Sequence, residues 1–444
     1  MKQRIQLSDH FTLSRLLRFT LPSIIMMVFT SAYSVVDGLF VANLVGESAL
    51  SSINIVYPLF TVVGAFGFML GTGGSAQVAR TLGEGENQKA KRYFTTICLT
   101  IVAIGVLLSA VCVIFIRPLS YWLGATENLI DYCVTYGIIL SCGMVAFMLQ
   151  TTFQSFFVVA EKPKLGLALT IASGLTNAFF DWLFIAVFDW GLAGAAFATV
   201  AGYCVGGLIP LLYFILPNNS LLRFVKTSLY PRMLLASCAN GSSEMVSNIS
   251  MAIVTFLFNW QMLRLVGESG VAAITAILYL GFIFIAILIG FSIGVAPVIG
   301  FHFGARNREE LHNVFKKSMY FVAVVSVCMV ILAELVSVPL IAIFLGKGNE
   351  TTDMAVRGFR LYALSFLLTG FNIFASAFFT ALCDGKVSAL ISFLRTLLLQ
   401  VIILVALPFA LGIDGVWLAA PLTELLAAIV SIVFLIIKRK KYGY

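Results

Sequence analysis

Residues 44–53 read LVGESALSSI, and residues 265–274 read LVGESGVAAI. The two stretches lie 221 residues apart, and the same offset pairs Gly83 with Gly304, Phe94 with Phe315, Gly191 with Gly412 and Gly194 with Gly415. An offset that stays constant over so long a stretch marks an internal duplication. What is duplicated follows from the sequence on either side. Of the 444 residues, 60% are hydrophobic and only 11% charged, and the mean hydropathy is +1.02. A soluble domain carries about a quarter charged residues, so this chain lacks the polar surface to cover itself in water, and its solvent is lipid.

Only helices and closed barrels cross a bilayer, because backbone groups find no water partner there. Barrel strands alternate in character over about ten residues; here the apolar runs are long and continuous, as helical spans require. The reading predicts spans near 16–43, 51–79, 94–116, 132–160, 165–188 and 192–216, then near 231–260, 270–300, 319–344, 358–383, 388–410 and 414–437. The expected fold is an all-α polytopic membrane protein of twelve transmembrane helices. An even number of spans per copy gives both copies one orientation, so the two six-helix repeats are parallel, related by an axis along the membrane normal. The expected division is residues 1–216, a linker over 217–231, and residues 232–444 with a basic tail.

The formal charge of +8 is a matter of topology. Of the 28 lysines and arginines, 22 fall in segments on one side; five (Arg117, Arg264, Lys347, Arg357, Arg360) fall on the other, and Arg395 lies within a span. Such an imbalance places both termini in the cytoplasm and gives no indication of a nucleic-acid partner. The polar N-terminus and the length of the first apolar run argue against a cleaved leader. The eight cysteines lie in apolar runs without metal-type spacing and read as small hydrophobes. His10, His302 and His312 form no HExxH pattern, and no GxxxxGK[ST] phosphate loop is present, so neither enzymatic chemistry nor direct use of ATP is expected. Two like bundles leave a cleft between them, and rocking about a central site gives alternating access. A duplicated channel or membrane scaffold is the competing class.

A charge inside a span costs roughly 2.5–3.5 kcal/mol on insertion scales, so each one is a functional candidate. The interior acids are Asp37, Asp181, Glu244, Glu334 and Glu424. Asp37 lies deep in the first span with Tyr33 one turn before it, and Pro22 earlier in that span is a candidate hinge. Asp181, in the fifth span, shares a face with Asn177, and the sixth span supplies Thr199. Two carboxylates, an amide oxygen and a hydroxyl suit a hard cation such as sodium; two acids in a dry pocket equally suit a proton, since one of them is pushed to bind it. The bland reading of either acid is a helix cap or a bond to a neighbour. In the seventh span Asn240, Glu244 and Asn248 recur every four residues and form one polar stripe, expected to line the central cleft. Gln150 and Gln154 in the fourth span are candidates for the same cleft or for helix–helix hydrogen bonding. Arg395 is expected to pair with Glu334 or Glu424.

Pro22, VVDGLFVANLVG (35–46), GTGGSAQVARTLGEGE (71–86), the EKPKLG turn (161–166), Asn177 with Asp181, and GLAGAAFATV (191–200) together resemble signatures of the multidrug and toxic compound extrusion (MATE) family, over nearly the whole chain. Asp37, Asn177, Asp181 and Thr199 are similar to the first-lobe cation site of its DinF-like branch, whereas GSSEMVSNIS (241–250) looks more like the MepA-type exporters. The resemblance implies a V-shaped, two-lobed antiporter of the plasma membrane, without cofactor. It would exchange external protons or sodium for cytoplasmic organic compounds, lipophilic cations among them, and act as a monomer. The NorM-like branch relies on a carboxylate in the tenth span, and the matching position here is Asn372, which favours coupling through the first lobe. Export of a lipid-linked or polar metabolite is the runner-up within the superfamily. A basic cleft would suit an anionic head group, but Arg395 is the single basic residue within a span.

Overall fold

The structure is a computed structural model. It describes the backbone of residues 5–45 and 47–444 and the side chains of these except residues 34–44 and 47–50. All regular elements among the described residues are helical. Ten helices are long and apolar enough to cross a membrane, and two bent helix pairs bring the number to twelve when each pair counts as one span.

The first set comprises α1 (Leu13–Leu44), α2 (Glu47–Gly83), α3 (Asn87–Trp122), the pair α4 (Ile130–Cys142) and α5 (Met144–Val159), then α6 (Pro163–Asp181), a π-turn over Trp182–Val187, and α7 (Gly191–Ile215). The second set comprises α8 (Pro231–Leu265), α9 (Glu268–Gly304), α10 (Arg308–Leu345), the pair α11 (Glu350–Ala363) and α12 (Phe366–Ala381), then α13 (Gly385–Phe393), a π-turn over Leu394–Leu398, α14 (Leu399–Leu411) and α15 (Ile413–Tyr442). The twelve expected stretches are all present, most of them several residues longer than the apolar runs.

Two of the spans are sharply bent, the fourth by 55° and the tenth by 47°. The first bend falls at Gly143, where any Cβ would press within 2.7 Å of Val200 on α7. The second falls at Leu364 and Ser365, where i→i+3 hydrogen bonds from Ser365 N–H to Tyr362 and from Leu368 N–H to Ser365 replace helical ones. Residues 143 and 364 are again 221 apart. The left-handed turns follow the same offset: Gly85 (φ 81°) answers Arg306 (φ 55°), and Gly191 (φ 52°) answers Gly412 (φ 59°).

The halves meet through α1 against α9, α2 against α8, and α2 against α9. The last crossing is reciprocal. A Cβ on Gly83 would overlap the Phe301 carbonyl, and one on Gly304 would overlap the Arg80 carbonyl. Only glycine lets the two backbones come this close. Buried side chains form two large clusters. One runs from Val56 to Met233; the other takes in residues from Phe258 to Tyr444, together with Val158 and the N-terminal Leu7, Phe11, Leu16 and Phe19.

That N-terminal stretch is pinned at the end of the bundle that carries most basic residues. The Leu7 N–H donates to Glu161 Oε1 at 2.8 Å and the Phe11 N–H to Glu310 Oε1 at 2.8 Å. His10 Nδ1 lies 2.6 Å from Glu310 Oε2, and Lys317 Nζ donates to the Phe11 carbonyl at 2.6 Å. It therefore bridges the turn after α5 and the start of α10. The linker is tied to α3: the Val225 N–H donates to Thr95 Oγ1 at 3.1 Å and Tyr230 packs edge-on against Tyr93. At the chain's other end, the Tyr442 hydroxyl donates to Asp384 Oδ2 at 2.6 Å. Burial raises the pKa of Asp384, but this hydroxyl and Lys438 outweigh it and hold the carboxyl below its ordinary value.

Candidate functional site

The candidate residues of the first half gather where α6 meets α7. Asn177 and Asp181, one turn apart on α6, are 1% and 2% exposed. The Asn177 amide donates to Thr199 Oγ1 across the helix gap at 3.5 Å, and Thr199 Oγ1 donates to the Ala195 carbonyl at 3.0 Å. The Asn177 Oδ1 atom is buried without a hydrogen bond, an acceptor held ready inside the bundle. Helix α6 widens into its π-turn at the residue after Asp181, and π-turns are often found where a helix serves a functional group. No lysine or arginine occurs in residues 19–79, 93–116, 118–161 or 165–222, so the middle of the first half contains no fixed cation. Asp37 is on α1, but its side chain lies outside the described residues, as do its neighbours'. Pro22 is within α1, which continues through it as helix.

The expected cleft residues are divided between the halves. Tyr33 stacks on Phe29 with ring centroids 6.4 Å apart, and the Cβ of a residue at 174 would touch both rings, so this aromatic pair of α1 lies against α6. Gln150 and Gln154 on α5 line one small crevice with Met26, Phe153, Phe157 and Thr170. Gln150 Nε2 donates to Ser173 Oγ at 3.3 Å, and Ser173 Oγ donates to the Gly202 carbonyl at 2.7 Å. In the second half, Asn240 is 2% exposed and its amide donates to the Thr380 carbonyl of α12 at 2.8 Å. That amide braces α8 on α12 inside the half, where the stripe was expected to face the cleft. Asn248 donates to the Glu244 carbonyl at 2.8 Å, a bond within α8, and the Glu244 side chain is half-buried within electrostatic reach of Arg395.

A polar cluster that the sequence reading did not assemble occupies the second half. Arg395, inside the π-turn between α13 and α14, donates through Nε to Glu424 Oε1 and Oε2 at 2.9 and 3.0 Å. Their side chains are 15% and 11% exposed. The Asn372 amide donates to Glu424 Oε2 at 2.7 Å and to the Glu424 carbonyl at 2.9 Å. Ser431 Oγ donates to Asn372 Oδ1 at 2.9 Å. The acid is thus fully engaged. Glu334, the other expected partner, lies 3.4 Å from Arg360 instead. Beside this cluster, Ser376 Oγ is 3.0 Å from Ser388 Oγ and 2.9 Å from Ser392 Oγ, and Ser388 Oγ is 2.6 Å from Thr380 Oγ1. These hydroxyls seam α12 to α13. The signal in the sequence was the run of small polar residues at helical spacing in two adjacent apolar segments. Among the described residues, no group of three or more His, Cys, Asp or Glu is placed to hold a metal ion.

Comparison with known proteins bears on the fold and the family. The curated relatives include the Multidrug export protein MepA of Staphylococcus saprophyticus, 21% identical over 430 residues, covering 96% of this chain and 94% of that protein. The protein of the same name from Staphylococcus aureus strain MSSA476 is 22% identical over 442 residues with the same coverage. Among solved structures, MATE in complex with MaL6 superposes with a TM-score of 0.92 at 21% identity, covering 100% of this chain and 99% of that one. An outward-facing multidrug resistance MATE family transporter of the MOP superfamily gives 0.90 at 21% identity, with the same coverage. The MatE family model matches twice, over residues 22–183 and 245–405, once in each set of spans. With both matches falling on the duplicated helical unit, the chain belongs to the MatE family of membrane transporters.

Proposed function

We propose that this protein exports amphipathic organic compounds, lipophilic cations among them, in exchange for a proton or sodium ion loaded in the first half. The observation that carries the reading is the buried set Asn177, Asp181 and Thr199 in a half whose membrane interior contains no lysine or arginine. A carboxylate buried in spans that carry no lysine or arginine of their own favours holding a proton or a metal ion. The ligands available are hard oxygens, which suit sodium. Asp37 completes the set from α1, with Pro22 as the point at which that helix bends on loading. Glu244, Gln150, Gln154, Asn248 and Tyr33 supply acid, amide and aromatic contacts to the transported compound, and aromatic faces with an acid favour flat cations. The names of the MepA relatives, multidrug export proteins, point to the same substrate class.

In this reading residues 1–216 and 232–444 are the two lobes, 217–231 is their cytoplasmic linker, both termini are cytoplasmic, and one chain suffices for transport. The binding site opens alternately to either side of the plasma membrane as the lobes rock. Counterflow in proteoliposomes under an imposed pH or sodium gradient, with a panel of cationic dyes, is the test. Dye accumulation that follows one gradient supports the reading. Dye movement insensitive to both gradients, or no dye movement with the protein correctly inserted, contradicts it.

A further inference from the structure

A slot of about 280 Å³ opens on the outer surface of the second half, between α10, α12 and α15. Its deep part is apolar, lined by Phe315, Phe371, Ile432 and Leu435, with Ile436 on its open side. Ile432 and Ile436 are 46% and 68% exposed, so the slot faces whatever surrounds the bundle. Its inner wall is held in place by Tyr444, whose ring packs on Phe315 and Phe378 at 4.9 and 4.7 Å. The Tyr444 hydroxyl donates to the Leu435 carbonyl at 2.8 Å.

One end of the slot is basic. Arg439 and His312 stand there, each in the terminal turns of its helix. Arg439 donates through Nε to the Tyr444 main-chain oxygen at 3.1 Å. Its two terminal nitrogens and the His312 ring make no hydrogen bond among the described residues. Lys316 and Lys440 flank them in sequence. Seven residues of helix separate Arg439 from Ile432, about 10 Å of rise. The slot therefore grades along α15 from cationic at Arg439, near the helix end, to apolar around Ile432. Basic pockets between the ends of transmembrane helices suit anionic lipid headgroups. Arginine offers a forked pair of N–H donors to a phosphate, and imidazole donates a hydrogen bond in either protonation state.

We infer that this slot binds one anionic phospholipid, its phosphate on Arg439 and His312 and one acyl chain against Phe315, Phe371, Ile432 and Ile436. Native mass spectrometry of the full chain in detergent tests it, with added phosphatidylglycerol or phosphatidylcholine of identical acyl chains. Each basic contact to an anionic headgroup is worth about fivefold in affinity, so the wild type retains phosphatidylglycerol at least that much better. The H312Q/R439Q double variant retains the two lipids equally. The slot-filling variant I436W loses both adducts, whereas K91Q, which removes a basic residue at the start of α3, behaves as wild type. Equal retention of the two lipids by the wild type overturns the assignment. So does a preference that survives H312Q/R439Q. A dimer that I436W abolishes while lipid adducts persist overturns it too, and gives the slot to a second copy of the chain.

Discussion

The two halves share a fold and differ in how they treat a buried acid. On the sixth span of the second half, Glu424 accepts from Arg395 and Asn372, and Asn372 accepts from Ser431, so its charge is neutralised and its oxygens are occupied. On the fifth span of the first half, Asp181 is as deeply buried, one turn from Asn177, whose amide reaches Thr199, and the spans of that half carry no lysine or arginine away from their ends. The arginine and the amide fill the Glu424 carboxylate's hydrogen-bonding positions and leave it a structural group. The π-turns sharpen the contrast: one begins just after Asp181, the other contains Arg395. The duplicated scaffold thus offers a widened helix turn in the same span of each half. In the second half that turn carries the brace; in the first it follows the acid proposed to load the driving ion.

The largest expected effect is at the loading site. Asp181→Asn abolishes gradient-driven accumulation in proteoliposomes, while binding of a fluorescent substrate in detergent persists. Accumulation retained in that variant would erase the distinction between the halves.

The brace responds in a different currency, stability. Removing one partner of a buried ion pair strands the other and costs about 3–5 kcal/mol, whereas replacing both with apolar residues is often near neutral. Arg395→Met alone should therefore lower the thermal unfolding temperature in detergent substantially. The double variant Arg395→Met/Glu424→Met should recover most of the loss and still transport. A double variant that is stable yet inactive would make Glu424 a second loading site. Asn372→Ala, which removes two hydrogen bonds to the same residue, should cost about 1–3 kcal/mol with the coupling ion's apparent affinity unchanged.

The smallest effect is expected where the halves meet the transported compound. Glu244→Gln should weaken binding of a lipophilic cation by about tenfold, near 1.4 kcal/mol, and leave a neutral analogue of the same shape unaffected, measured by dye displacement. Equal loss for both compounds would make Glu244 a structural group.

Much of this was legible in the sequence because it is local or periodic. Continuous apolar runs marked all twelve spans, and the 221-residue offset marked the duplication. The four-residue spacing of Asn177 and Asp181 placed them on one face, and the Asn177 amide reaches Thr199 on the next helix. What escaped depends on distant partners. Arg395 had two candidate acids, and choosing Glu424 over Glu334 requires the packing of α15 against the π-turn, which no local pattern reports. Asn240 lies on the expected stripe by spacing, yet Thr380 near the end of α12 captures its amide. The bends in the spans come from contacts such as Gly143 against Val200, 57 residues away in sequence. Periodicity tells which residues share a face; it does not tell which neighbour that face meets.

The central claim is that the driving ion loads in the first half and not at Glu424. It is tested most directly by following ion release from detergent-solubilised protein when a lipophilic cation is added, with a pH dye for protons and radioactive sodium for Na⁺. The wild type and the Arg395→Met/Glu424→Met variant should both release one of these ions on substrate addition, and Asp181→Asn should release neither while still binding substrate. Release that persists in Asp181→Asn, or that vanishes in the double variant, would contradict the account.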